Sequence, residues 1–145
     1  MRISECMSHD VRLARPSDTI QQAARMMANI DSGCLPVQES DRLAGMITDR
    51  DITIRAIAEG KGPDCLVSEV MSREVKYCYE DDDTEDVLRN MGDIKLRRLP
   101  VLNRDKRLVG IVSLSDLATG GERPHAGEAL QHIAEPGGPH SQTLH

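Results

Sequence analysis

The stretch Leu43-Ala44-Gly45-Met46-Ile47-Thr48-Asp49-Arg50-Asp51 is written a second time as Leu108-Val109-Gly110-Ile111-Val112-Ser113-Leu114-Ser115-Asp116. In both places an apolar, strand-like run ends on a hydroxyl residue, with a carboxylate three positions later. The match extends outward: Leu35-Pro36-Val37 returns as Leu99-Pro100-Val101, and Met7-Ser8 as Met71-Ser72, at an offset of 64 or 65 residues. Solenoid repeats have periods of roughly 20 to 50 residues, so this offset points to a duplicated domain-sized unit. A unit of about 60 residues is marginal alone, and the two copies are expected to pack together over a shared core.

Each copy passes through the same sequence of periodicities. Thr19 to Ile30 place Ile20, Ala23, Ala24, Met27 and Ile30 at helical spacing, and Thr84 to Ile94 do so with Val87, Leu88, Met91 and Ile94. Short strands follow, Cys34 to Gln38 and Leu43 to Ile47 around the turn formers Glu39-Ser40-Asp41-Arg42. Leu99 to Leu102 and Leu108 to Val112 repeat that hairpin around Asn103-Arg104-Asp105-Lys106. A second helix is expected from Asp49 to about Glu59, closed by Gly60, with a counterpart starting near Leu114 and meeting Gly120-Gly121. The expected organisation is therefore a first unit over residues 1–60 and a second over 61–120. Residues 121–145 form a tail with a short helix, Ala126 to Ala134, and then a loosely held, disordered end.

Composition narrows the function. The chain has 145 residues, 24 acids against 18 bases, and no aromatic side chain except Tyr77 and Tyr79. Base-stacking platforms need aromatic faces and nucleic-acid grooves need basic excess, so nucleic acid is not an expected partner. No apolar run approaches the ~20 residues of a membrane span and no signal-peptide pattern opens the chain, which points to a cytoplasmic protein without membrane contact. Cys6, Cys34, Cys65 and Cys78 show no Cys-x-x-Cys pairing and read as free thiols, with no metal site indicated. The acidic run Glu80 to Asp86 fits a solvated helix start better than a calcium loop.

The repeated Thr/Ser-x-x-Asp carries two readings. As a capping box, the hydroxyl accepts from an exposed helix amide while the carboxylate reaches back to another. As a ligand site, the same hydroxyl and carboxylate at a positive helix end suit a phosphate and a ribose.

Taken with the Leu-Pro-Val strand, the hairpin and the duplication, the motif resembles the tandem cystathionine-β-synthase (CBS) domain family over about residues 5 to 118. The resemblance implies an α/β (α+β) fold of two β-α-β-β-α units related by a pseudo-twofold axis, and a stand-alone module that forms a homodimer. It also implies an adenosyl ligand (AMP, ADP, ATP, NAD or S-adenosylmethionine) in clefts between the units. Carried over, Asp51 and Asp116 would hold ribose hydroxyls, and Thr48 and Ser113 would approach phosphate or ribose. Arg97 and Arg98 stand where Gly33 and Cys34 stand in the first copy, and family basic residues at those positions reach phosphate. The second cleft, with Ser113 and Asp116, is then the better candidate. Ser32, Gly33 and Cys34 would leave room there for adenine, and Arg50 would be a phosphate partner for the first cleft.

The expected function is a regulatory sensor of adenosyl nucleotides that is not an enzyme, requires no cofactor and signals to a downstream protein. The alternative is a dimeric interaction or stress-related protein of the same fold with no bound nucleotide. A third class is a thiol redox protein using Cys34 or Cys78.

Overall fold

The protein is described from a computed structural model, over residues 1–94, 96–119 and 123–134. Thr19 opens helix α1 (Ile20–Ile30), its hydroxyl accepting from Gln22 N at 3.2 Å while Gln22 Oε1 accepts from Thr19 N at 2.8 Å. The helix buries Ile20, Ala23 and Met27, leaves Ala24 in solvent, and ends at Asp31 in the left-handed region (φ 53°). Strands β1 (Cys34–Glu39) and β2 (Arg42–Thr48) then form an antiparallel hairpin in the register Cys34↔Thr48 to Val37↔Gly45. The register shifts between Val37 and Gln38. The turn is tighter than the sequence suggested, because Ser40 and Asp41 both take positive φ (51° and 62°), the two-residue geometry that matches strand twist.

After β2 the chain makes one α-helical turn, α2 (Asp49–Asp51), and continues as a π-helical stretch over Ile52–Ile57. The expected α-helix is thus wound differently. Ile52, Thr53 and Ile54 are β-branched in succession, which weakens α-winding, and Thr53 Oγ1 donates to the Asp49 carbonyl at 3.0 Å. Gly60 closes the segment at φ 78°. Helix α3 (Val67–Val70) follows. Next come β3 (Cys78–Tyr79), α4 (Thr84–Ile94), β4 (Arg98–Leu102), β5 (Leu108–Ser113), α5 (Leu114–Thr119) and α6 (Arg123–Ala134). The first hairpin is a two-stranded sheet, and β3-β4-β5 is a three-stranded one with β3 parallel to β4.

The chain forms two compact units that do not follow the order of the repeats. A central unit holds Val11–Lys76 with Lys106–Leu108; a terminal unit joins Met1–Asp10 to Tyr77–Asp105 and the chain from Val109 on. Each repeat therefore lends its first segment to the unit built on the other repeat's hairpin. In the terminal unit, Ile3 N donates to Asp82 O (3.0 Å), Thr84 N to Met1 O (2.9 Å) and Ser8 N to Ile111 O (2.8 Å). In the central unit the matching bonds run Val67 N to Asp18 O (2.8 Å), Ile20 N to Cys65 O (2.8 Å) and Ser72 N to Met46 O (2.8 Å).

This exchange explains the glycine of the repeated motif. A Cβ on Gly45 would strike the Ser72 carbonyl, and one on Gly110 would lie 2.7 Å from the Ser8 carbonyl and 2.6 Å from Met7 Sδ. Glycine at both places is a condition of the crossing segment's approach.

The expected single shared core is replaced by two. Ala14, Ile20, Met27, Leu35, Val37 and Ile47 pack with Val67, Val70 and Met71 in the central unit. Leu88, Met91, Leu99, Val101, Val112 and Leu117 pack with Ile3 and Met7 in the terminal unit. Burying a Leu or Val fully is worth about 1.5–3 kcal/mol, so the borrowed segment carries a real share of each core. Helix α6 meets α4 at one buried residue: Ala129 is buried, and its Cα would lie 3.3 Å from a Cβ on Gly92 of α4. The expected disordered end falls outside the described residues.

Candidate functional site

Both copies of Thr/Ser-x-x-Asp close as capping boxes. Asp51 N donates to Thr48 Oγ1 (3.0 Å) while Thr48 N donates to Asp51 Oδ2 (3.0 Å). Asp116 N donates to Ser113 Oγ (3.0 Å) while Ser113 N donates to Asp116 Oδ2 (2.9 Å). In each box one carboxylate oxygen is committed to the backbone, leaving Oδ1 as the oxygen that can accept from a ligand.

One helical turn beyond the carboxylate the two copies differ in sequence. Arg55, one helical turn on, brings Nε to 3.8 Å from Asp51 Oδ1 and donates through Nη1 to the carbonyls of Val70 (3.2 Å) and Met71 (3.3 Å). The residue at the same distance beyond Asp116 is Gly120, which has no side chain to offer. Arg55 was missed in the sequence, although an acid followed by a base four residues later is a readable signal.

The strand-entry residues meet the motif through one repeated backbone bond. Asp49 N donates to Gly33 O at 2.9 Å, and Leu114 N to Arg97 O at 2.8 Å. Gly33 and Arg97 are therefore structural counterparts, as the sequence alignment supposed. At the first copy the Asp49 carboxylate lies against Gly33, where an added Cβ would sit 2.6 Å from Oδ2. At the second copy the pair is Arg97 and Leu114, with Arg97 exposed and Arg98 exposed at the head of β4.

Ser32 and Gly33 line a hollow of about 260 Å³ in the central unit, together with Met27, Ala28, Asp31 and Asp49. Ser32 Oγ donates to Cys34 O (3.2 Å) and accepts from Cys34 N (3.4 Å), which fixes the turn into β1. Arg50 is exposed and spends its amide on Asp49 Oδ1 at 2.8 Å. Asp31 and Asp49 line this hollow without being read from the sequence as candidates, because neither is a position at which the two copies agree.

Other groups are accounted for locally. Tyr77 and Tyr79 meet edge to face (5.6 Å between centroids), and Arg104 stacks on Tyr79 at 4.1 Å while pairing with Asp81 at 2.9 Å. That pairing holds the Asp81 carboxyl below the usual carboxylate range. In the acidic run, Asp83 Oδ1 accepts from Glu85 N (2.8 Å), consistent with a solvated helix start. Burial first, and then the nearby Asp82 and Cys6, push the Cys78 thiol up to about 12. A thiol so resistant to ionisation is a core side chain and not a redox nucleophile, which counts against the redox class at that residue. Among the described residues no three His, Cys, Asp or Glu side chains gather as a metal-binding group, and no helix is long and apolar enough to cross a membrane.

The family profile of the CBS domain matches residues 3–56 and again 67–120. The chain belongs to the CBS domain family. It is 39% identical over 133 residues to the CBS domain-containing protein YhcV of Bacillus subtilis, covering 91% of this chain and 94% of that one. The fold is that of CBS pair proteins: the CBS domain protein TA0289 of Thermoplasma acidophilum superposes with a TM-score of 0.77 at 26% identity, over 91% of this chain and 75% of its own. The CBS domain pair of protein MJ0100, solved with 5′-methylthioadenosine and S-adenosylmethionine, superposes with a TM-score of 0.72 at 27% identity, over 84% of this chain and 98% of its own. That neighbour holds adenosyl ligands, and the motif positions named above lie inside the two matched segments of this chain.

Proposed function

We propose that this CBS pair is a regulatory module that binds an adenosyl nucleotide, with Ser113 and Asp116 at its better-equipped site, and that it has no catalytic activity. The observation that carries this reading is the Asp116 carboxylate: one oxygen is fixed by Ser113 N at 2.9 Å, and the sequence has glycine four residues on, where Arg55 stands beyond Asp51. Arg97, opposite the apolar Leu114, supplies a cation for phosphate, and Arg98 a second.

A thermal-shift panel of AMP, ATP, NAD and S-adenosylmethionine tests the reading on protein freed of small molecules. A ligand at a hundredfold excess over its Kd should add about 2.7 kcal/mol of stability. Asp116→Asn keeps a backbone acceptor but loses the charge, and is expected to weaken binding at least tenfold, more than Asp51→Asn. Equal losses would cancel the ranking, and no shift with any ligand would cancel the reading.

The second reading, an interaction protein without nucleotide, is favoured by the closure of both capping boxes, which engages each hydroxyl as an acceptor without a ligand. It shares with the first a homodimer, for which Ile54 and Ile57 are the supporting observation, being 48% and 59% exposed on the π-helical stretch. Sedimentation should give a dimer that Ile57→Glu shifts toward monomer. A wild-type monomer at all concentrations removes the homodimer.

A further inference from the structure

A ring of contacts in the central unit joins the first motif to the segment borrowed from the second repeat. Strand β2 meets that segment at Met46, whose amide donates to Ser72 O (2.9 Å) while Ser72 N donates to Met46 O (2.8 Å). The strand ends at Thr48, and Thr48 N donates to Asp51 Oδ2 (3.0 Å). Asp51 Oδ1 lies 3.8 Å from Arg55 Nε, and Arg55 Nη1 returns to the segment, donating to the carbonyls of Val70 and Met71 where α3 ends. Carbonyls at a helix C-terminus have no intrahelical donor, and a cation suits them. Arg55 stands within the π-helical stretch Ile52–Ile57, and π-winding, rare in general, is frequent at functional sites. The Asp51 side chain is only 17% exposed, so its charge is weakly screened from Arg55. At 3.8 Å the contact is an ion pair and not a hydrogen bond, which leaves Oδ1 its capacity to accept.

We infer that Arg55 is a positioning residue that couples the Asp51 carboxylate to the docking of the borrowed segment around Val70, Met71 and Ser72, and that hydroxyl donors taking up Asp51 Oδ1 loosen this segment. The response to a ligand rests on the reading that a nucleotide's ribose reaches Asp51; the coupling of Asp51, Arg55 and the segment does not. The charge on Oδ1 draws Nε and so sets the guanidinium over two carbonyls 15 and 16 residues away in sequence. Donors arriving at Oδ1 spread that charge, the pull on Nε falls, and Nη1 is left with its hydrogen bonds alone. A ligand shifts an equilibrium only by interacting differently with its two states, and here the difference is the contact between Arg55 and Asp51. The loosened segment runs on along the chain to Tyr77, where the terminal unit resumes. The matching position of the second copy is Gly120, which carries no guanidinium, so the coupling is a property of the first motif.

The test is residue-resolved amide hydrogen exchange on the full chain, read at Met46 and Ser72 in the central unit and at Ser8 and Ile111, the matched pair in the terminal unit. Without ligand, Arg55→Gln should speed exchange at Met46 and Ser72 about fivefold, and Asp51→Asn, which keeps an acceptor for Thr48 N, about twofold. The double variant should match Arg55→Gln alone, because Asp51 acts on the segment through Arg55. Ser8 and Ile111 should keep their rates in all three variants. A merely structural contribution would add in the double variant or move all four amides together, and either result overturns the inference. Adenosine, a ribose without a charged group, is then added to saturation. Met46 and Ser72 should exchange about twofold faster in the wild type and keep their rates in Arg55→Gln. If calorimetric titration shows adenosine binding the wild type while Met46 and Ser72 are unmoved, the inference is overturned and the nucleotide reading stands. Adenosine binding to neither protein overturns the ligand response together with that reading, and the ligand-free variants decide the coupling by themselves.

Discussion

The repeats build one backbone and dress it with different chemistry, and their core sites differ as well as their surfaces. Ala14 and Cys78 are counterparts, each beside the central strand of its hairpin, at Ala14↔Val37 and Cys78↔Val101. Ile20 and Thr84 are counterparts too, each donating its amide to a carbonyl of the borrowed segment. Where backbone meets backbone the copies are the same, as at Gly45 and Gly110. Where side chains fill a core, some are kept, as Leu35 and Leu99 or Met27 and Met91, and others have diverged, as Ala14 and Cys78 or Ile20 and Thr84. The lesson is that the backbone approach of the exchanged segments admits glycine alone, whereas core filling admits more than one side chain.

The largest effects are accordingly expected at the two glycines. Alanine at Gly45 or Gly110 must push back a backbone carbonyl of the crossing segment, and each is expected to cost about 1–3 kcal/mol. Gly62, with nothing within 4 Å of an added Cβ, is the control and should change stability by less than about 0.5 kcal/mol. Urea midpoints measured on the three variants decide the matter. Gly45→Ala and Gly110→Ala as mild as Gly62→Ala would mean that the borrowed segments yield easily, and the comparison between strict and free positions would lose its basis.

That exchange is also where the sequence stopped being informative. The repeat, both hairpins, the helices at Ile20–Ile30 and Thr84–Ile94 and both capping boxes follow from spacing and periodicity, which are local. Which hairpin Met7-Ser8 or Met71-Ser72 joins is a choice between two near-identical partners, and nothing local to those residues decides it. The π-winding at Ile52–Ile57 is hidden because apolar spacing in a helix tolerates one extra residue per turn. At the site, the motif residues were legible because they recur. Asp49 was not, since its significance comes from Gly33, 16 positions earlier in sequence and in contact in space. The asymmetry between Gly33 and Arg97 could be read by aligning the copies; the acid that fills the vacated space could not.

A second test uses the Ala14 and Cys78 pair. The Cys78 thiol ionises at about 12 in the folded protein and near 9.0 when its surroundings are removed. A raised value means the folded state holds its proton more tightly, so this contribution to stability is complete below pH 9 and is lost as pH rises toward 12. The loss should approach about 1.4 kcal/mol per pH unit within that window. Cys78→Ala gives the terminal unit the residue its counterpart has, and the wild type should lose more stability between pH 9 and pH 11 than this variant does. Parallel pH profiles would show that the thiol is not desolvated as its position implies.

The smallest expected effect concerns Thr84, which is 1% exposed with a hydroxyl that has no hydrogen-bond partner among the described residues. Its counterpart Ile20 fills the equivalent place with hydrocarbon and is 2% exposed. A buried hydroxyl without a partner sacrifices its hydration for nothing, so replacing it by a methyl of the same shape should be favourable. Thr84→Val is expected to stabilise the protein by about 1 kcal/mol, which for a chain of this size raises Tm by about 3 °C. The amide bond from residue 84 to Met1 O is a backbone bond and survives the substitution. A fall in Tm would show that the hydroxyl is held by a buried water, and that the terminal unit uses a polar contact where the central unit uses packing alone. A rise would place the difference between Ile20 and Thr84 among the changes that a duplicated core tolerates at a cost in stability.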